Sequence, residues 1–438
     1  MRGKGTGDKM DQLYNKGWFK LDNAAKIYPA IITGELSNVF RITAFLYEPV
    51  RLSALTEAVT ITSKRFPYFN VSLSKGAFWY FLETNNQLPR IHVEEAVPCT
   101  TFPLGHKKEV MYRILVRKNR ISLESVHILT DGSGGLEYLK TLLFTYFSIL
   151  KKDVKIAEGI IDPKSQPDPS ETEDAFNKYF RKKVPVAANI SKAWHLPFPL
   201  RMKPRLRILQ AEASVSRISD VSKSHKVSIT EYLVSVYLNT LQAIYLESGA
   251  VKSKKSKKIL RTQVPINLRK KYPSSTMRNF SLFVIPELDM RLGSYSFEEI
   301  LVIVHHYMQS ETSTKKIDRI IARNVGGEKN LFIRFMPLFL KKFALILAYR
   351  KFGIDQFSGI FTNMGSVKLN GGLENFVRSI SLTPPPPNKG IKTSCAVISC
   401  KDTMMFVFAN ITISIEFEKR FIKFLVNESI NIRILNTD

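Results

Sequence analysis

His127-Ile128-Leu129-Thr130-Asp131-Gly132, followed by Ser133, Gly134 and Gly135, is the stretch around which the rest of the chain is organised. Upstream, residues 111–116 and 121–127 are β-type runs that flank the turn-like Arg117-Lys118-Asn119-Arg120. They predict a hairpin with His127 at the end of its second strand. Downstream, Leu136, Leu139, Leu143, Tyr146 and Leu150 recur at spacings of three and four, the pattern of an amphipathic helix. The glycines are expected to let the backbone turn sharply from strand to helix.

That setting suits acyl transfer. An imidazole at a strand end can project into a cavity and, with an unperturbed pKa near working pH, remove a proton from an attacking hydroxyl or amine. Asp131 is better placed to brace the turn than to act as a second base, provided an arginine comes from elsewhere. Gly132 leaves space where a side chain would crowd the imidazole or substrate. The competing reading, a surface i, i+4 pair on a helix, is disfavoured by the strand-like alternation before His127.

The whole chain bounds the rest. Its 438 residues allow two domains of ordinary size, and 44% hydrophobic with 24% charged residues indicates a folded protein and not a disordered one. A net charge of +27 implies attraction to anions: cofactor phosphates, nucleic acid or acidic lipid. Basic residues are spread through the chain without a nucleic-acid reader motif, so specific nucleic-acid binding ranks last. Three cysteines, Cys99, Cys395 and Cys400, form no disulfide framework and point to a reducing, cytoplasmic setting. Cys395 and Cys400 are an odd number of residues apart in an expected strand, so they face opposite ways. His305 and His306 are adjacent, and His92, His106, His195 and His225 stand without partners, so no metal site is expected. Residues 1–11 lack the apolar core of a signal peptide. The most hydrophobic stretch, 331–348, is interrupted by Arg334, Pro337, Lys341 and Lys342. It is expected to pack within the protein, with a basic amphipathic helix on a membrane surface as the alternative.

An α+β fold follows from the order of elements: a strand over 40–47, a helix over 52–65 stopping before Pro67, short strands near 69–73 and 77–81, then the hairpin and helix. From about 151 to 204, prolines punctuate a charged connection, in which Ser170 and Glu173 form a capping-box pattern before Phe176. The division is an N-terminal lobe over 1–185, a linker over 186–205 and a C-terminal lobe over 206–438. In the second lobe a strand over 206–210 precedes a helix opened by the capping box of Ser228 and Glu231 and running to about Leu246. A lysine run follows, then a strand over 259–268 ending at Arg269. No exact repeat is visible, but the shared strand-and-helix mix is compatible with a diverged duplication.

His127-x-x-x-Asp131-Gly132 is joined by Val264-Pro265-Ile266-Asn267-Leu268-Arg269, by Arg278-Asn279-Phe280 and by Thr362-Asn363-Met364-Gly365. In this order, from about Trp18 to the end, the sequence resembles the condensation-domain and alcohol-acyltransferase branch of the chloramphenicol acetyltransferase-like superfamily. The resemblance implies two similar lobes in a V-shaped pseudo-dimer, with the active site in an inter-lobe tunnel that the thioester enters from one face and the acceptor from the other. It implies that His127 is the catalytic histidine and that Asp131 forms a structural ion pair, for which Arg269 is the matching partner; the other reading of Arg269 is a plain surface cation. Condensation domains that join carrier-bound amino acids usually have two adjacent histidines, whereas Val126 stands in the first position here. That departure shifts the expectation toward a free-standing acyltransferase.

The expected function is therefore transfer of an acyl group from acyl-coenzyme A, or an acyl carrier protein, to a small or lipid-like alcohol or amine, by a monomer with no permanently bound cofactor. Asn279, Thr362, Asn363 and Gly365 are candidates for lining the tunnel or stabilising the oxyanion, against ordinary turn or strand roles. Lys254, Lys255, Lys257 and Lys258 are candidates for the coenzyme A phosphates, against a solvated loop. The rival classes are a carrier-dependent condensation enzyme and a non-catalytic binding protein acting at an anionic or membrane surface.

Overall fold

In the computed structural model, Tyr112–Arg117 and Arg120–Val126 pair antiparallel as the expected hairpin, with Arg117 opposite Arg120. Lys118 turns the chain with a φ of +51°. Residues 17–33, 36–94, 97–105, 109–182, 184–185 and 190–435 are described. The N-terminal residues 1–11, His106 and the start of the expected linker at 186 lie outside the described residues.

The second hairpin strand is central in a five-stranded sheet of order Val377–Thr383, Val39–Leu46, Arg120–Val126, Tyr112–Arg117, Ile91–Val93. Every residue of Val39–Leu46 is buried, because its neighbours pair on both edges and helices cover the sheet. Those helices, Leu52–Arg65 and Gly132–Ile149, pack on one another. The first stops one residue before the Phe66-Pro67 bond, as the crowding that a proline imposes on its predecessor requires. Leu139, Leu143 and Tyr146 sink into the core as their spacing predicts. A small three-stranded antiparallel sheet has Tyr80–Thr84 at its centre, between Trp18–Lys20 and Val71–Lys75.

An eight-stranded sheet organises the second lobe. Ile229–Glu247 opens with the expected capping box: the Ser228 hydroxyl accepts from the Glu231 amide and the Glu231 carboxylate accepts from the Ser228 amide. That helix, Phe297–Glu311 and Glu416–Asn427 build the second core. Within the sheet, Ile259–Asn267 and Thr393–Cys400 both run parallel to Gly359–Val367. The odd spacing of Cys395 and Cys400 has the expected result, since Cys395 packs in the second core and Cys400 in the first. The architecture is α+β, with a sheet-and-helix layer in each lobe.

Three expectations change. The lobes do not separate cleanly in sequence, because Val377–Thr383, from beyond residue 206, forms the edge of the first-lobe sheet against Val39–Leu46. Ser170 and Glu173 do not form a capping box: Asp168 caps the turn Pro169–Thr172 and Asp174 caps the short helix Ala175–Lys178. Glu173 instead binds outward, accepting from Ser274 at 2.7 Å. Finally, the hydrophobic stretch 331–348 does not disappear into the core; it forms the helices Leu331–Phe335 and Leu338–Tyr349 with much of its apolar surface exposed.

Candidate active site

His127 begins where the ladder ends. Its amide makes the last strand-like bond, to the Asn38 carbonyl at 2.9 Å, and the chain then turns through 127–129. The imidazole lies between aromatic rings, stacked on Tyr28 at 5.6 Å and tilted against Phe40 at 4.7 Å between centroids. Its Nδ1 is buried with no hydrogen-bond partner among the described residues. Burial holds the imidazole pKa below its ordinary value, against the opposing charge of Asp131.

Asp131 is the N-cap of Gly132–Ile149, and its Oδ1 accepts from the Ser133 and Gly134 amides, both at 3.1 Å. Oδ2 accepts from the Phe280 amide at 2.9 Å, and the two oxygens take a bidentate pair from Arg269 at 2.9 and 3.2 Å. Burial opposes ionisation, but the guanidinium and these donors outweigh it and hold the carboxyl below its usual range. Arg269 is itself saturated, donating also to the carbonyls of Thr276 and Arg278. The expected pair is thus brought together across the lobes, with Asp131 consumed in bracing.

The clamp extends residue by residue. Four consecutive residues of the second lobe read the 127–131 turn: Met277 O accepts from Thr130 Oγ1 at 2.6 Å, the Arg278 guanidinium donates to Leu129 O at 3.2 Å, the Asn279 side chain donates to His127 O at 2.9 Å, and the Phe280 amide reaches Asp131. Asn279 is accordingly not placed as an oxyanion donor: its amide nitrogen also donates to Asp22 at 3.0 Å. Asp22 is a residue that the motif missed. It is buried, its carboxyl is pushed up to about 6 chiefly by that burial, and it also accepts from the Ala25 amide at 2.8 Å. The only sequence signal for it was a capping aspartate three residues ahead of Ala25.

The glycines act through clearance and not through turning. None of Gly132, Gly134 and Gly135 has a positive φ. A Cβ on Gly134 would lie 2.2 Å from Thr130 Oγ1 and 2.5 Å from Met277 O, and one on Gly135 would press on Phe40. On Gly132 it would meet Met364 Sδ at 2.8 Å, so the space beside Gly132 is taken by a second-lobe side chain. Met364 belongs to the Thr362-Asn363-Met364-Gly365 stretch but is not itself among the expected site residues. It is carried there by an irregularity in Gly359–Val367, where the register shifts between Asn363 and Ser366 and Gly365 takes a φ of +77°.

The remaining candidates are placed elsewhere. Asn363 donates to Thr230 at 2.9 Å and accepts from the Gly365 amide at 2.7 Å, and Thr362 pairs with Ala396 in the sheet. Those are strand and bulge roles. The lysine run precedes Ile259–Asn267 while Arg269 follows it, so the strand length of roughly 26 Å separates the run from the Asp131 clamp. Lys254, Lys255 and Lys257 are exposed there, and Lys258 donates to the Ala250 and Val251 carbonyls of its own loop.

No family model and no curated protein matches the sequence. Solved structures do match its fold. F. graminearum TRI101 complexed with coenzyme A and deoxynivalenol aligns over 96% of this chain and 100% of its own, with a TM-score of 0.60 at 10% identity. The TRI3 trichothecene 15-O-acetyltransferase from Fusarium sporotrichioides aligns over 93% of each chain, with a TM-score of 0.57 at 10% identity. A variant of the starter condensation domain of rhizomide synthetase RzmA, in complex with C8-CoA, aligns over 96% of this chain and 97% of its own, with a TM-score of 0.58 at 12% identity. The chain therefore has the two-lobe α+β fold that these solved structures share.

Proposed function

We propose that the protein is an acyltransferase that moves an acyl group from a thioester, acyl-coenzyme A, to a hydroxyl or amine, with His127 as general base. One observation carries this reading: on a single clamped turn, both oxygens of Asp131 are committed to bracing while the His127 imidazole donates to no carboxylate among the described residues and is held neutral by burial. A neutral imidazole at working pH is the form a base requires. His127 takes the acceptor's proton as its oxygen or nitrogen attacks the thioester carbonyl. The tetrahedral intermediate collapses, the carbon–sulfur bond breaks, and the proton passes to the thiolate.

Donor and acceptor reach His127 from opposite faces of a tunnel between the lobes, a geometry that a clamp built from both lobes supports. Direct attack, and not an acyl-cysteine, is supported by the thiols: Cys99, Cys395 and Cys400 are all buried, and burial raises each of them. Coenzyme A as donor is supported by the coenzyme A complexes among the matching structures, and by Val126 where a carrier-dependent condensation domain has its first histidine. The test is incubation with acetyl- and longer acyl-coenzyme A and a panel of alcohols and amines, following free thiol and intact mass. Thiol release that requires an acceptor and leaves the protein mass unchanged is expected; release without acceptor together with an acyl adduct overturns direct attack, and no release from any donor overturns the acyltransferase reading.

A further inference from the structure

The helices Leu331–Phe335 and Leu338–Tyr349 expose large apolar side chains, and the second turns Lys341 inward. Phe332 is 87% exposed, Phe339 72% and Phe343 66%, and Leu347 continues the stripe on the same outward face. Lys341, by contrast, is 2% exposed. At about 100° per residue it lies roughly 200° from both Phe339 and Phe343, on the inward side. There its Nζ donates to the Phe78 carbonyl at 2.8 Å and stands 3.4 Å from the centroid of the Trp79 ring. The hairpin is fastened to the first lobe as well by the Leu338 amide, which donates to Ala77 O at 3.1 Å. A helix that turns its phenylalanines outward and one of its two lysines, Lys341, inward is arranged for an apolar phase outside the protein.

The charge on this segment says which phase. From residue 330 to 354 there is no Asp or Glu, while Arg334, Lys342, Arg350 and Lys351 accompany the apolar stripe. Among the described residues no helix is long and apolar enough to cross a membrane. We propose that residues 331–352 form a docking surface for an anionic bilayer, with the phenylalanines entering the acyl boundary and the cations meeting acidic headgroups.

The surface adjoins the site. Leu338–Tyr349 packs on the short helix Tyr28–Ile31, and Tyr28 stacks on His127. Resting on the acyltransferase reading, this placement assigns the acceptor to the lipid-soluble class: an alcohol or amine drawn from the bilayer on which the protein sits.

The experiment uses the full chain in co-sedimentation with vesicles of equal parts phosphatidylcholine and phosphatidylglycerol, and with pure phosphatidylcholine vesicles. Binding to the acidic vesicles is expected, lowered about fivefold by each of Arg350→Gln and Lys351→Gln and lost in the double variant Phe339→Glu/Phe343→Glu, whose thermal unfolding stays that of the wild type because both side chains are exposed. His127→Ala is expected to bind as the wild type does, which separates docking from catalysis. Equal sedimentation of wild type and double variant overturns the docking surface. So does a wild-type dimer in sedimentation velocity that the double variant converts to monomer without any vesicle binding, since the face then belongs to a second copy. For the acceptor class, thiol release with a long-chain alcohol held in the acidic vesicles is expected to fall in the double variant while release with a soluble short-chain alcohol is retained. An equal rate for both alcohols in both proteins overturns that assignment and leaves docking standing, whereas turnover of neither alcohol by the wild type overturns the acyltransferase reading alone.

Discussion

Asp131→Asn keeps the size of the side chain but sets an amide against donors on every side, from Arg269, Phe280, Ser133 and Gly134. Breaking one partner of a buried pair costs about 3–5 kcal/mol, so a large fall in melting temperature is expected by calorimetry. A variant as stable as the wild type contradicts the bracing role. The pH dependence follows from the sign of the shift. Because the folded carboxyl is held below its ordinary value, its stabilisation is fully present above about pH 3.9 and is lost as pH falls through the lower folded value. Between pH 5 and that value the wild type is therefore expected to lose stability to this group only at the acid end, and Asp131→Asn is expected to lack that contribution. For His127 the shift is also downward, below 6.5, so the acid limb of kcat/KM is expected to lie below pH 6.5. A limb above it contradicts a buried neutral base.

Elements explain why some of this was legible in the sequence and some was not. The hairpin, both long helices around it and the Ser228 capping box were readable because their signals are local: alternation, spacing of three and four, and a cap three residues from its partner. The pairing of Asp131 with Arg269 was reachable only through a resemblance, since 138 residues separate the two. Asp22, Met364 and the inward Lys341 were not legible, because each depends on a contact between distant segments or on which side of a helix meets the protein. The glycines show the same limit. Their presence was plain, yet the structure transfers the main steric demand from Gly132 to Gly134, where the obstacles include backbone. Gly134→Ala is expected to destabilise by about 1–3 kcal/mol through overpacking, and Gly132→Ala by less, since the flexible Met364 side chain can yield. Thermal denaturation of the two variants checks the order; a reversed order contradicts it.

At the scale of the molecule, the lobes are interleaved. Val377–Thr383 completes the first-lobe sheet, and the first core takes in Ile398, Cys400 and Met405 from the second half of the chain. A fragment of residues 1–205 would leave Val39–Leu46, an entirely buried strand, with an open edge, which is a template for association. It is expected to aggregate or to unfold without cooperativity in denaturant, whereas a monomeric fragment with a sharp transition contradicts the interleaving. The same interleaving gives the site its rigidity: the turn that carries His127 is held by Met277 to Phe280 and Arg269 from the other lobe. On the proposed reading, chemistry falls to one imidazole and its positioning to the fold as a whole. The most direct test compares wild type with His127→Ala in acceptor-dependent thiol release from acyl-coenzyme A, alongside their melting temperatures. The expected result is a rate lowered about 10²–10⁴-fold, the usual worth of a general base, in a protein that still folds and keeps the Asp131–Arg269 pair. Equal thiol release by the two proteins would contradict the assignment of His127 as the base.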